Sequence, residues 1–246
     1  MKTTLLEMVQ NILNDMDSDE VNSISDTVEA QQVANIIKTC YMEMISNRNW
    51  PHLRKLVQLE SLSDLDKPNY LRIPKGMKEL IFFKYDADIT KMVEVKYKQP
   101  DDFLRYTSLR NSNMDVVEEI VDFSGSKLLI KNNSAPAYWT SFDDTHIVTD
   151  AYNKQAEDTL QASKTQCLAY MEPKWVHSDD AIPNLPEEAF AALEEEAKST
   201  AFLALKQMAN QKAEMKAARQ NRWLSRKAWR ANGGVQYESY GRRGRR

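Results

Sequence analysis

Near its C-terminus the chain interleaves cations with aromatic rings. Arg222-Trp223, Arg226-Lys227 and Trp229-Arg230 follow Arg219, and Tyr237 and Tyr240 lead into Gly241-Arg242-Arg243-Gly244-Arg245-Arg246. Guanidinium groups pair with carboxylates or phosphates, and Trp and Tyr rings either stack on bases or fill pockets. The pattern therefore has three readings. It is a solvated charge run, a nucleic-acid surface with phosphate contacts and base stacking, or a docking element for an acidic or grooved protein partner. Trp, Tyr and Arg are the residue types that dominate interface hot spots, which favours the third.

A second cluster, Asp143, Asp144 and His146 with Asp150 close by, has the residue types of a metal-dependent hydrolase. Metal sites also need a defined ligand set with an orienting shell. An Asp-Asp pair between two strands is better explained by side chains that hydrogen-bond the local backbone. His52 and His177 have no Cys or His partner at metal-ligand spacing. Gly76 and Gly125 are the only glycines before residue 233, so no glycine-rich phosphate loop exists. There is no Gly-x-Ser-x-Gly elbow and no His-Glu-x-x-His. No enzyme, cofactor or metal is expected.

Charge is sorted along the chain. Twelve Lys/Arg against two Glu give residues 206–246 a charge of +10, whereas the whole chain carries −3, leaving −13 on residues 1–205. Four of six glycines fall in the last fourteen residues. An acidic body thus ends in a basic helix and a basic, glycine-bearing arm that cannot bury a core of its own. No apolar run approaches the ~20 residues that span a bilayer. The N-terminal residues lack the pattern of a signal peptide. Cys40 and Cys167 are expected as reduced, buried thiols in an intracellular protein.

The elements that carry these residues follow from hydrophobic spacing. Leu5, Met8, Val9, Ile12, Leu13 and Met16 predict a helix over 4–16. Asp26 with Glu29 has capping-box spacing ahead of a second helix, whose stripe is Val33, Ile36, Ile37, Cys40, Tyr41, Met44 and Ile45. Trp50-Pro51 ends it. Strands are expected at 56–62, 70–73, 78–85, 91–98, 116–123, 127–131, 138–141, 146–149 and 159–171, with a short helix from Pro100. Their regular spacing predicts an antiparallel sandwich or small barrel. Pro186 opens a last helical stretch to about Trp229, with Phe190, Leu193, Ala197, Ala201, Leu205 and Met208 facing the core. Unbroken it would reach roughly 65 Å, beyond the ~45 Å diameter of a compact globule of this length. A break near 209–211 is expected. Ala213, Ala217, Leu224 and Ala228 form a narrow apolar side that suits another molecule better than this chain's core. The acids at 187–188 and 194–196 are expected on a solvated face.

The expected fold is α+β: a helical bundle with an inserted antiparallel β domain and an extended C-terminal arm. Its parts are an N-terminal helical hairpin (1–54), an inserted β-rich domain (55–183), a long helix packing on the hairpin (184–232) and a flexible basic arm (233–246).

Several runs resemble one family. Ala137-Tyr138-Trp139-Thr140-Ser141-Phe142-Asp143-Asp144, Ile147-Val148-Thr149-Asp150-Ala151-Tyr152 and Thr159-Leu160-Gln161-Ala162-Ser163-Lys164-Thr165-Gln166-Cys167 are similar to the head-to-tail adaptor proteins of short-tailed bacteriophages. So are Ala197-Lys198-Ser199-Thr200, Lys206-Gln207-Met208-Ala209 and Trp229-Arg230-Ala231-Asn232-Gly233-Gly234. The initial hairpin ending in Asn49-Trp50 resembles connectors of the tail-tubular A type. The resemblance implies a non-catalytic virion protein, assembled in the host cytoplasm as a ring, typically a dodecamer. Its implied partners are the portal protein, the tail nozzle or tube proteins, and double-stranded DNA that passes through the channel during ejection without sequence-specific binding; no membrane is implied. Partner-binding residues are then expected at Arg219, Arg222, Trp223, Arg226, Lys227, Trp229, Arg230, Tyr237, Tyr240, Arg242, Arg243, Arg245 and Arg246. The alternative is a nucleic-acid-binding module built on the same basic, aromatic terminus.

Overall fold

The structure, a computed structural model, describes residues 2–88 and 91–226. It is an α+β protein of two compact units, Met1–His52 with Pro173–Arg246, and Leu53–Glu172.

In the first unit, α1 (Leu5–Asp15) starts at Thr4, whose hydroxyl accepts from the Glu7 N–H while the Glu7 carboxylate accepts from the Thr4 N–H. Helix α2 spans Val28–Ser46. Its N-cap is Thr27, not Asp26 as the sequence suggested. The Asp26 carboxylate is already engaged by the N–H groups of Asn22 and Ser23, so it closes the preceding turn and leaves the Thr27 hydroxyl to accept from Ala30. The unit takes up the chain again at Pro173, ahead of the boundary at residue 184 that the sequence suggested. Leu5 N–H donates to the Ala181 carbonyl at 2.8 Å and Leu6 N–H to that of Asp179 at 3.2 Å, so residues 173–183 pack with the helices.

After a single 3-10 turn at Glu187–Ala189, α4 (Phe190–Lys206) and α5 (Gln211–Arg226) complete the unit; α3 (Pro100–Ser108) belongs to the other. The core takes Leu5, Met8, Ile12, Val33, Ile37 and Tyr41 with Leu193, Ala197 and Ala201, all at 1% exposure or less. Each large apolar side chain so buried contributes about 1.5–3 kcal/mol. Met208, expected in this stripe, is 65% exposed, because α4 stops at Lys206. Among the described residues no helix is long and apolar enough to cross a membrane.

The second unit holds eleven named strands and α3 (Pro100–Ser108), which begins with Pro and two acids as its sequence predicts. Strands β1 (Arg54–Val57), β11 (Thr165–Met171), β4 (Met77–Asp88) and β5 (Lys91–Glu94) form an antiparallel sheet in that order. A second sheet has the order β2 (Glu60–Ser61), β3 (Tyr70–Arg72), β10 (His146–Thr149), β9 (Tyr138–Thr140), β6 (Lys96–Tyr97). Strands β7 (Val117–Val121) and β8 (Lys127–Lys131) form a hairpin whose turn places Gly125 at φ +84°, where an L side chain is disfavoured.

Two continuous strands expected from the sequence are each split between the sheets. Residues 56–62 divide at Leu59, whose side chain is buried while its N–H donates to the Thr165 hydroxyl at 2.9 Å. Residues 91–98 divide at Val95, 2% exposed, whose N–H donates to the Phe83 carbonyl. The sandwich expectation also needs amending. The pairing is antiparallel except between β6 and β9, which run parallel. One core, including Tyr70, Phe83, Phe103, Ile130, Ile147 and Tyr152, joins the elements.

Candidate docking surface

Helix α4 ends on Gln207 in the left-handed conformation (φ +53°), and the Met208 N–H returns to the Phe202 carbonyl. Asn210 then restarts the helix, its side-chain oxygen accepting from the Ala213 N–H at 3.1 Å. The reversal lies at 207–210, overlapping the expected break at 209–211. It lays α5 against α4.

Ala213, Ala217 and Leu224 are not reserved for another molecule; they are 2%, 2% and 4% exposed within this unit. Alanines on both helices allow close approach, and polar groups flank the seam. Lys216 pairs with Glu195 at 2.7 Å and the Asn221 amide donates to Glu196. Glu194 accepts from the Asn11 amide at 3.0 Å. The acid run at 194–196 is thus a half-buried fastening rather than a solvated face. The Arg48 guanidinium donates to the Leu224 carbonyl at the end of α5 and lies over the Trp50 ring. Burial pulls the Arg48 guanidinium below its ordinary value.

With one side anchored, the helical period fixes what the other side presents. Lys212, Met215, Arg219, Arg222 and Trp223 fall at helical spacing on the exposed face, with Met215 67% and Trp223 47% exposed. Three of the expected partner-binding residues, Arg219, Arg222 and Trp223, are therefore brought together on a braced helix. Arg226 is the last residue of α5. The other candidates, Lys227, Trp229, Arg230, Tyr237, Tyr240, Arg242, Arg243, Arg245 and Arg246, lie outside the described residues. Met215 was missed from sequence. Its signal was the spacing of four to Arg219 and seven to Arg222.

The Asp143 cluster is a closed turn. One Asp143 oxygen accepts from the N–H groups of Thr145 (3.0 Å) and His146 (2.8 Å), and the other lies 2.6 Å from the His146 Nδ1. Asp144 sits at φ +56° with its N–H on the Ser141 hydroxyl. Asp150 faces elsewhere, paired with Arg110 at 3.0 Å with both side chains buried. Among the described residues no group of three or more His, Cys, Asp or Glu is arranged to hold a metal. Partial burial alone would raise the Asp143 carboxyl. The hydrogen bonds from His146 and Thr145 outweigh it and hold the group well below the usual carboxylate range.

A carboxylate with a depressed folded pKa stabilises the fold above its unfolded value near ~3.9, and that contribution is lost as pH falls toward the folded value. Asp143→Asn is therefore expected to lower Tm at neutral pH, with the gap to the wild type shrinking below about pH 4. A gap that stays constant in scanning calorimetry down to the lowest pH at which the chain folds contradicts this role.

Cys40 and Cys167 are free and buried, and burial pushes their thiols up to about 11 and about 12. Thiols so raised carry little thiolate at neutral pH. The chain matches no protein-family model and no curated protein.

Proposed function

We propose that this chain is a structural connector of a short-tailed bacteriophage particle, a head-to-tail adaptor that joins the portal to the tail nozzle or tube around the DNA channel. In this reading copies assemble as a ring, typically of twelve, in the virion. The helical unit is a bundle, the β-rich unit an inserted domain that meets neighbours or tail proteins, and residues 233–246 an extended arm. No catalytic step is assigned to it.

The observation that carries the reading is the α5 face. Arg219, Arg222 and Trp223 stand outward on a helix whose opposite side is locked by Ala213, Ala217 and Leu224. Cations and an aromatic ring held on a rigid helix lose little conformational freedom on docking, which favours a protein partner. The basic, aromatic sequence that follows extends this fastening to neighbours within reach. The acidic remainder of the chain suits a channel that DNA must slide through without sticking.

The test is the triple variant Arg219→Ala, Arg222→Ala, Trp223→Ala in the full chain, titrated against its cognate portal ring. Docking is expected to weaken at least ~100-fold, near 2.7 kcal/mol, with helicity unchanged. Wild-type affinity in the variant overturns the reading. Tight DNA binding that falls steeply with salt and is lost in the same variant would replace it with the nucleic-acid alternative.

A further inference from the structure

Three segments of the β-rich unit enclose a hollow of about 430 Å³, within the range of ligand and peptide pockets. Leu104 of α3, Phe123 of the β7–β8 turn and Phe142 of the β9–β10 turn form its walls, with Tyr70 at its base. The walls are open. Leu104 is 45%, Phe123 57% and Phe142 38% exposed, so three large apolar side chains converge with nothing of the described chain covering them. They are nonetheless held in place. The Phe123 ring packs edge-on to Tyr70 at 5.6 Å and against His146 at 4.7 Å, and Phe142 packs edge-on to the buried Phe103 at 6.1 Å.

Two carboxylates line the same hollow. Asp122 is fixed by the Tyr70 hydroxyl at 2.7 Å and the Ser124 N–H at 2.9 Å; Asp143 is fixed by its own turn and by His146. Burial works against both charges, and the hydrogen bonds outweigh it, so both carboxyls lie below their ordinary values. A cation, Lys67, stands 4.7 Å from the Phe123 ring centre. The chemistry that fits is an aromatic side chain for the hollow, followed by guanidinium groups for the two carboxylates.

The densest such run in this sequence is Tyr237-Glu238-Ser239-Tyr240 followed by Arg242, Arg243, Arg245 and Arg246. We propose that the hollow between α3 and the β7–β8 and β9–β10 turns of one copy receives the Tyr237–Arg246 segment of a second copy. Tyr237 or Tyr240 enters between Phe123 and Phe142, and the arginines reach Asp122 and Asp143. Such a contact joins two different surfaces of the same molecule, the type that closes into a ring when the rotation allows. It goes beyond the portal reading, since it leaves the α5 face free and gives the terminal residues a site on a neighbouring copy.

Complementation between two full-length variants tests this. The pocket variant carries Phe123→Ser and Phe142→Ser; the tail variant carries Tyr237→Ser, Tyr240→Ser, Arg242→Gln and Arg243→Gln. Both phenylalanines are partly exposed, so the pocket variant is expected to keep the wild-type circular dichroism and a cooperative melt, a few degrees lower for the lost ring contacts. Should it not, Asp122→Asn serves in its place. In sedimentation velocity the wild type is expected to self-associate, less so at higher salt. Each variant alone is expected to associate at least tenfold more weakly. Their mixture, which restores one intact pocket and one intact tail, is expected to recover a 1:1 complex. A wild type that stays monomeric, variants that associate as it does, or a mixture that fails to recover each overturns the proposal; the last is what docking of the segment within its own chain would give. A pocket variant that has lost self-association yet docks on the portal ring separates this inference from the portal reading.

Discussion

Replacing Arg110 by Ala is expected to destabilise the β-rich unit by about 3–5 kcal/mol, the range for removing one partner of a buried ion pair. The Arg110 and Asp150 side chains are 7% and 4% exposed and meet at 3.0 Å. The guanidinium also donates to the carbonyls of Leu129 and Asp150. The second Asp150 oxygen accepts from the N–H groups of Ala137 (2.9 Å) and Tyr138 (2.8 Å). One ion pair therefore ties β8, β9 and the end of β10 together. Truncating Arg110 strands a buried carboxylate and leaves two carbonyls short of a donor. Arg105→Ala is the internal comparison. Its pair with Asp102, at 3.9 Å and with both side chains mostly exposed, is expected to contribute no more than ~0.5 kcal/mol. Urea denaturation, with amide hydrogen exchange of β7–β10 as the local readout, measures both. A loss below ~1 kcal/mol for Arg110→Ala would show the pair to be dispensable.

Ala217→Glu is expected to release α5 and remove partner docking. Ala217 is 2% exposed on the side of α5 that meets α4. A glutamate there would set a carboxylate into the seam beside Glu195 and Glu196, which already take up the nearby donors Lys216 and Asn221. Burying an unpaired charge costs several kcal/mol, more than a hairpin of alanines can offset, so the helix should leave its seat instead. Once detached, a 16-residue helix is marginal in water, and the alignment of Arg219, Arg222 and Trp223 goes with it. Circular dichroism should report the lost helix, and portal affinity should fall by at least the ~100-fold expected for the triple face variant. Ala218→Glu places the same charge one residue on, at an exposed position. It should leave stability within ~0.5 kcal/mol of wild type. Equal behaviour of the two variants would mean that the α4–α5 seam does not position the docking face.

Most of the helical unit was legible because burial there follows a local period. The stripes of α1, α2 and the first half of α4 were readable as faces, and Leu5, Met8, Val33, Ile37, Leu193 and Ala197 are all buried. Turn chemistry was readable too. Asp143 hydrogen-bonds its own turn, as its place between two strands suggested. Caps were harder. Asp26 and Thr27 are both good N-cap residues, and the choice fell to Thr27 only because Asn22 and Ser23 claim the Asp26 carboxylate.

The hollow of the β-rich unit was not readable at all. Its walls come from α3 and two turns, with 38 positions between Leu104 and Phe142, and no spacing rule connects Leu104, Phe123 and Phe142. Asp150 was misleading for a related reason. By sequence it sits beside Asp143 and His146, yet it lies past the end of β10 and turns to Arg110.

By itself the sequence determined which faces are apolar, which residues close turns, and that an acidic chain ends in cations and rings, since each depends on neighbours a few residues apart. Tertiary structure alone decided where strands are divided between sheets and where the last helix folds back. Residues 207–210 contain neither glycine nor proline, and Ala209 favours helix. What makes the chain accept a left-handed Gln207 is the burial of Ala213, Ala217 and Leu224 against the preceding helix, a gain that exists only once the two helices meet.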